Sequence, residues 1–500
     1  MKVNVSHTPR PRHLFCNLCI AVISGMIIVA CHSRKPAVSE EQHPHGSPTA
    51  TPASTAGESA ALTHSNHTQF KAPTKIVLVL LDALRPDYLG FVDGTTPETA
   101  PGLAKLSRNA MVFARAFSTS SWTAPSVSSI YTSLYPPGHG IQYGFKAQRS
   151  FKKKYGDEDE EKLALNRLPA HRRILSEYLQ DAGYDTFAIT TNINISRHLG
   201  FNRGFGHFKY IPYDDGPAEV VLKQLAQWQP EIHAAAKSFV YLHLNDVHQP
   251  YHVRRPWFTG GNPKEDDAGR YRSEIHYADN YLQKMFKLLD VDDDTLLVVM
   301  SDHGEEFWDH GGTEHGPKLY QELVRVLLMI RWPNGGVVPG RTDLNVSHID
   351  ILPTLMDFVG IQRPDWFEGT TLVPLLRNTD NGQKALQLSH RALFAHRVYS
   401  KIRELYVTAL ILGKWKLINR YDKHFELYFH TDDPGDHHNL ATVRPQMLAH
   451  LKARLDTLST RLNEKDPYNN KVEIKIDEDL LERLGRLGYT TESDKSHPPR

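Results

Sequence analysis

Cysteine is scarce in this chain of 500 residues: the only cysteines are Cys16, Cys19 and Cys31. Because all three lie at or before position 31, the rest of the chain can form neither a disulfide framework nor a cysteine-based active site. A surplus of one charge is also lacking, since 58 Lys and Arg face 57 Asp and Glu. Binding to a phosphate backbone needs a clear basic surplus, so nucleic acid is not expected as a partner.

Long apolar runs are missing except for Leu14–Ala30, which excludes a protein with several membrane spans. This run follows residues 1–13, which carry basic side chains and no acidic one, as an export signal does. Its end, residues 28–31, resembles the lipobox of bacterial lipoproteins. We therefore predict a signal peptide with a lipobox-like end at 1–31 and an exported bacterial lipoprotein, periplasmic or on the cell surface. A lipid anchor would be its only membrane contact; an uncleaved anchor is the alternative.

Large apolar residues are also few in residues 32–74, which are rich in Ser, Thr, Pro, Ala and His. Such a segment cannot bury enough surface to offset the entropy of ordering, so we predict a disordered linker. Its histidines could bind a metal ion, but solvated linker side chains are the favoured interpretation.

From Lys75 onward, short apolar runs alternate with segments of helical periodicity, which predicts an α/β fold with a central, mostly parallel sheet flanked by helices. The predicted strands are 76–81, 187–190, 239–244 and 296–300. After residue 377 the runs become shorter and more strand-like. We therefore expect a catalytic domain at 75–377 and a small C-terminal α+β subdomain at 378–500, ending in a flexible tail.

Three of the predicted strands are followed by a carboxylate, namely Asp82, Asp246 and Asp302. The carboxyl ends of parallel strands meet at one edge of a sheet, where ligands bind. His248 and His303 lie beside two of these carboxylates, and a mixed oxygen and nitrogen set suits zinc or manganese. Each carboxylate alone could simply cap the next helix.

The segment around Thr123 reads as a turn leading into a helix, with Pro125 suited to the first helical turn. A hydroxyl at that place faces unpaired N–H groups and the positive end of the helix dipole, which favours an anionic substrate. Thr123 could equally be a simple N-cap.

An ordered series of motifs resembles the sulfatase family of the alkaline phosphatase superfamily. The resemblance runs from about Lys75 to Tyr489 and is carried by residues 79–87, 122–126, 135–140, 239–251, 301–304 and 314–325. It implies an alkaline-phosphatase-like fold and one divalent metal ion (zinc, manganese or calcium). Further implied site residues are, for the metal, Asp82, Thr123, Asp302 and His303; for catalysis, Thr123, His248 and His315; and, for the substrate, Asn192, Asp246 and Lys318.

The chain departs from this family at its nucleophile. The family signature begins with a Cys or Ser that is oxidised to formylglycine, whereas Thr123 stands here, and Val127 occupies the position of the signature arginine. Threonine cannot give the aldehyde. Because a sulfated threonine must be attacked by water at sulfur, we expect a metal-dependent hydrolase or transferase that prefers phosphate esters, small or glycan- or lipid-linked, over sulfate esters. A sulfuric ester hydrolase and a catalytically silent surface binding protein are the alternatives.

Overall fold

Runs of branched apolar residues form the strands of the main sheet, because such side chains pack well on a pleated surface that is covered on both faces. The computed structural model describes residues 71–94, 96–142, 162–212, 216–262, 264–379, 382–400, 405–421, 424–463 and 471–475. The predicted signal peptide and nearly all of the predicted linker lie outside these residues, as does the predicted tail.

The strands of the described residues are β1 (Lys75–Leu81), β2 (Met111–Phe113), β3 (Ala116–Phe117), β4 (Lys162–Asn166), β5 (Asp185–Thr190), β6 (His207–Tyr210), β7 (Ser238–Leu244), β8 (Thr295–Ser301), β9 (Glu306–Phe307), β10 (Thr313–Glu314), β11 (Arg325–Val326), β12 (Leu328–Arg331), β13 (Gly340–Thr342), β14 (Val346–Ser347), β15 (Ala392–Ser400), β16 (Leu405–Leu412), β17 (Trp415–Arg420), β18 (His424–Tyr428) and β19 (Lys471–Lys475).

The α-helices are α1 (Gly90–Asp93), α2 (Pro101–Ser107), α3 (Thr123–Thr132), α4 (Pro136–His139), α5 (Leu175–Asp181), α6 (Ala218–Ala234), α7 (Asp267–Leu288), α8 (Gln321–Val324), α9 (Ile351–Val359), α10 (Val373–Leu376), α11 (Gln383–His390) and α12 (Pro445–Asn463). Short 3₁₀ turns lie at Pro86–Tyr88, Arg197–Leu199, Pro333–Gly335 and His348–Asp350.

The main sheet has the strand order β13-β2-β12-β8-β1-β7-β5-β6. Strands β8, β1, β7, β5 and β6 run parallel, whereas β12 is antiparallel to both β8 and β2. The α/β fold with a mostly parallel central sheet is therefore confirmed. The strands β2, β12 and β13 were not predicted, because runs of three or four residues carry too little periodicity to be recognised.

Helices cover both faces of this sheet. On one face Ile76, Leu78 and Leu80 pack into a core that includes residues of α3 and α9. On the other face the intervening residues of β1 pack into a core that includes residues of α6 and α7. In α7, Ile275, Ala278, Leu282 and Met285 recur at helical spacing, and the face that they form is buried, so the result is a three-layer sandwich.

A second, four-stranded antiparallel sheet in the order β15-β16-β17-β18 forms the C-terminal part of the structure. One of its faces packs on residues of the 319–324 segment, and α12 covers the other. Both sheets belong to the same compact unit. Strand β15 was not predicted. The sequence pattern predicts a helix at 478–487, and that segment lies outside the described residues. Within the part of the chain that the structure describes, no helix is long and apolar enough to span a membrane.

Truncation of a central strand residue tests this core. Leu78 is fully buried in β1, so Leu78→Ala should lower the free energy of unfolding by about 2 to 5 kcal/mol through lost burial and a residual cavity. Urea unfolding followed by circular dichroism measures the change. Leu386→Ala is the matched control, because Leu386 is 61% exposed and its truncation should cost no more than about 0.5 kcal/mol. Equal effects for the two variants would contradict the assigned core.

Candidate active site

The carboxyl ends of four neighbouring parallel strands bring the candidate residues to one edge of the sheet. Asp302 follows β8, Asp82 follows β1, Asp246 follows β7 after one residue, and Asn192 follows β5 after one residue. The carboxyl ends of β1, β7 and β8 are in register, since Leu81 of β1 pairs with the last residue of β7 and with the last residue of β8. The convergence expected from the sequence is therefore observed.

Asp82, Asp302 and His303 form a buried group whose ligand atoms all lie within 4.8 Å of one another. Asp82 Oδ1 and Asp302 Oδ2 find no hydrogen-bond partner among the described residues, although both side chains are fully buried. Buried carboxylate oxygens normally have a partner, and two carboxylates with one imidazole are ligands that divalent ions accept. Asp82, Asp302 and His303 therefore fit a site for one divalent metal ion.

The backbone orients these ligand atoms. The N–H groups of Ala83 and His303 donate to Asp302 Oδ1 at 3.2 and 3.0 Å, which leaves Oδ2 of that carboxylate for the site. Ala83 adopts φ 59°, a left-handed conformation that costs free energy for a residue with a Cβ atom. His303 Nδ1 donates to the carbonyl oxygen of Gly304 at 2.8 Å. Its Nε2 therefore faces the carboxylates, 3.3 Å from Asp82 Oδ1 and 3.6 Å from Asp302 Oδ2.

The pKa values of the group reflect burial and the close approach of both opposite and like charges. Burial opposes the charged form of Asp82, but His248, His303 and His243 outweigh burial and lower its pKa. Burial, together with the Asp82 carboxylate, raises the pKa of Asp302. The two carboxylates also raise the pKa of His303, although burial works against this. A cation among these groups would replace the protons that otherwise reduce the repulsion.

Thr123 is the first residue of α3, and its hydroxyl lies at the same group. Thr123 Oγ1 is 3.4 Å from Asp82 Oδ2 and 3.4 Å from His303 Nε2. Asn192 Nδ2 donates to Asp82 Oδ2 at 2.8 Å and lies 3.4 Å from Thr123 Oγ1. The structure thus brings together the hydroxyl, the amide and the three candidate ligands that the sequence singled out.

The two histidines expected beside the reacting group also lie here. The ring centroid of His315 is 4.9 Å from that of His248 and 4.7 Å from that of His303. His315 Nδ1 faces Glu305 Oε1 at 3.3 Å, and the hydroxyl of Tyr251 donates to Glu305 Oε2 at 2.7 Å. His248 Nδ1 donates to the carbonyl oxygen of Gln249 at 2.6 Å. Both imidazoles are therefore fixed from their Nδ1 side.

Two predicted substrate residues have protein partners of their own. Asp246 Oδ1 accepts the N–H of Ala218 at 3.0 Å and lies 3.8 Å from Arg254, while burial raises the pKa of Asp246 to about 6. Lys318 Nζ lies 2.8 Å from both carboxylate oxygens of Glu306 and donates to the carbonyl oxygen of His310. Lys318 would have to leave this carboxylate to contact a substrate.

The chain is similar to known proteins of one family. The sulfatase family profile matches residues 74–361, more than half of the chain. The chain belongs to the sulfatase family. A second profile, described as the C-terminal part of N-sulphoglucosamine sulphohydrolase, matches residues 315–463. The family that the sequence motifs predicted is therefore confirmed.

Individual relatives are distant. An uncharacterized sulfatase of Escherichia coli, YidJ, is 25% identical over 237 residues, which cover 45% of each chain. A choline-sulfatase of Rhizobium meliloti is 30% identical over 155 residues, or 30% of this chain and 28% of the relative. The match thus spans less than half of either relative. The phosphonate monoester hydrolase of Agrobacterium radiobacter has the same fold, with a TM-score of 0.64 at 18% identity. The match covers 78% of the present chain and 96% of the hydrolase chain.

Two buried residues of the site were not predicted from the sequence. His243 of β7 is fully buried, and its Nε2 lies 3.5 Å from Asp82 Oδ2. It sits within an apolar strand, where nothing distinguishes a site residue from a packed one. Glu305 is also fully buried, and its pKa is lowered because His315, His248 and Tyr251 outweigh burial. Its position directly after Asp302-His303-Gly304 was the one signal that could have found it.

Removal of one carboxylate tests the metal site. The wild type should bind about one divalent ion per chain, and Asp302→Asn should weaken binding by at least about 10- to 100-fold, since one charged ligand is lost. Titration calorimetry with zinc, manganese and calcium on chelator-treated protein measures this. Asp357→Asn, at an exposed helix position, is the control and should bind as the wild type does. Unchanged affinity in Asp302→Asn would rule out the assigned ligands.

Proposed function

We propose that this protein cleaves phosphate mono- or diesters, in preference to sulfate esters, with Thr123 as the nucleophile. The observation that supports this most directly is the place of the Thr123 hydroxyl, 3.4 Å from Asp82 and 3.4 Å from His303 at the buried end of α3. An anion bound there would face the N-terminal N–H groups of the helix and its positive dipole end.

Asp82, Asp302, His303 and Thr123 would hold one divalent ion. A bound ion of this kind lowers the cost of the Thr123 alkoxide and withdraws charge from the non-bridging oxygens of the ester. The imidazole among the ligands favours zinc or manganese, whereas the oxygen ligands also suit calcium.

The proposed reaction has two steps. Thr123 Oγ forms a bond to phosphorus and gives up its proton, the ester oxygen leaves with the electron pair of the broken P–O bond, and that oxygen takes up the proton as an alcohol. Water then attacks the phosphorus of the Thr123 ester, one proton of the water restores the Thr123 hydroxyl, and the product is phosphate from a monoester or a phosphate monoester from a diester. His248 and His315, whose rings lie at the group, are the proposed proton-transfer and contact residues.

The preference for phosphate follows from the nucleophile. A formylglycine hydrate can expel sulfate by re-forming its carbonyl group, but Thr123 has no such route, and no cysteine follows Cys31. The shared fold with a phosphonate monoester hydrolase agrees with phosphorus chemistry. A sulfuric ester hydrolase is the second candidate, because curated relatives include a choline-sulfatase and a glucosamine sulfatase.

Asn192, Asp246 and Lys318 are the proposed substrate contacts. Asn192 is the best placed of them, because its amide already lies 3.4 Å from Thr123 Oγ1. Relatives named for sulfated sugars suggest an ester on a glycan, and a small or lipid-linked ester is the other proposed class. Transfer to an alcohol in place of water is chemically equivalent at the second step.

A substrate panel with nucleophile variants tests this function. The wild type with added metal should cleave aryl phosphate mono- or diesters faster than aryl sulfate. Thr123→Ala should lose on the order of 10³-fold or more in kcat, and Thr123→Ser should retain measurable turnover and form a covalent adduct at position 123. Release of the aryl alcohol and mass spectrometry of quenched enzyme are the measurements. Full activity in Thr123→Ala would refute the nucleophile, and faster cleavage of aryl sulfate would favour the second candidate.

We also propose export and a lipid anchor at Cys31, on the basis of the basic and apolar leader that precedes it. Cells that express the full chain should incorporate labelled fatty acid into the wild type and none into Cys31→Ser, because no other cysteine follows the leader. Cys16→Ser should remain labelled and serves as the control. Equal labelling of the wild type and Cys31→Ser would contradict the proposal.

A further inference from the structure

Glu305 holds the imidazole of His315 through a side chain that is itself held firmly. The carboxylate is fully buried, with Oε1 at 3.3 Å from His315 Nδ1 and Oε2 at 2.7 Å from the hydroxyl of Tyr251. The carbonyl oxygen of Glu305 accepts a hydrogen bond from Arg85 Nη1 at 3.0 Å. Arg85, in the segment after β1, therefore holds the backbone of Glu305, and Tyr251, in the segment after β7, holds its carboxylate.

The backbone next to Glu305, at Gly304, is closely packed against another chain segment. The N–H of Gly304 donates to the carbonyl oxygen of Leu323 at 2.9 Å. A Cβ atom on Gly304 would lie 1.9 Å from the carbonyl oxygen of Glu322. Glycine is therefore required at this close approach of two chain segments.

His315 differs from His248 and His303 in the partner of its Nδ1 atom. Nδ1 of His248 and Nδ1 of His303 face backbone carbonyl oxygens, which are neutral. Nδ1 of His315 faces a carboxylate. A carboxylate in this position fixes the tautomer, directs Nε2 toward the reacting group and stabilises the imidazolium that forms when Nε2 takes a proton.

We propose that Glu305 is the positioning residue that makes His315 the base of the second step, in which water cleaves the ester on Thr123. His315 Nε2 takes a proton from the attacking water, the oxygen of that water forms the bond to phosphorus or sulfur, and Thr123 Oγ leaves with the electron pair of its ester bond. The proton then returns from Nε2 to Thr123 Oγ, so that the site is restored. This inference rests on the proposed function, because it requires the Thr123 ester.

Pre-steady-state kinetics of Glu305→Gln tests the proposal, because glutamine keeps the shape of the side chain and removes its charge. The substrate is the p-nitrophenyl ester, phosphate or sulfate, that the wild type cleaves fastest. Its leaving group needs no proton, so formation of the Thr123 ester should proceed at the wild-type rate. Breakdown of the ester should slow on the order of 10²-fold, as expected for loss of a general base. A burst of about one p-nitrophenol per active site should appear, and the Thr123 adduct should accumulate in the quenched enzyme.

A matched control separates this role from structural damage. Glu426 also accepts a tyrosine hydroxyl, that of Tyr320 at 2.8 Å, but it lies on β18 of the C-terminal sheet. Glu426→Gln should therefore change stability without any accumulation of adduct. The inference is overturned if Glu305→Gln retains the wild-type kcat, or if its burst rate and steady-state rate fall equally with no adduct.

Failure of the underlying function looks different. If the wild type forms no adduct and Thr123→Ala retains its turnover, the proposed nucleophile is wrong, whatever Glu305→Gln does. If the wild type forms the adduct and Glu305→Gln breaks it down at the wild-type rate, only the role of Glu305 is wrong.

Discussion

Repulsion between two buried carboxylates is the constraint on which the rest of this site depends. Asp82 and Asp302 leave neighbouring strands at the same edge, and each keeps one oxygen without a protein partner among the described residues. Such an arrangement is unfavourable unless a positive charge lies between the carboxylates. The protonated imidazole of His303 supplies that charge when no metal ion is bound. A bound divalent ion would take its place, with His303 as a neutral ligand.

Thr123 and the histidines of the site are placed by three different kinds of structure. Thr123 lies in the first turn of a wholly buried helix, which places its hydroxyl beside Asp82. His303 is placed by the backbone of its own loop. His315 follows the short β9–β10 hairpin and is held by Glu305. The segment that follows β18 contributes indirectly, since His310 of this hairpin contacts both Glu322 and the backbone of Asp436.

Much of this site could be predicted from the sequence because its residues come directly after predicted strands along the chain. A carboxylate that directly follows an apolar strand must lie at the strand's carboxyl end, which is why the sequence pattern alone predicts that Asp82 and Asp302 lie together. Glu305 and His243 could not be found in this way. Whether a buried acid or imidazole touches the site depends on which neighbouring loop or strand it meets, and sequence spacing does not encode that. Strand β15 was missed because its residues look like an ordinary apolar segment in the sequence.

The sequence pattern was enough to predict the α/β class, the strand-end carboxylates and the membership of the sulfatase family, because each of these is a property of single segments. The pairing of His315 with Glu305, the pairing of Lys318 with Glu306 and the contacts of Asn192 with Asp82 and Thr123 could be seen only in the folded structure. Several of these contacts join segments far apart in sequence. Their geometry exists only after the helices and loops have packed around a common sheet edge.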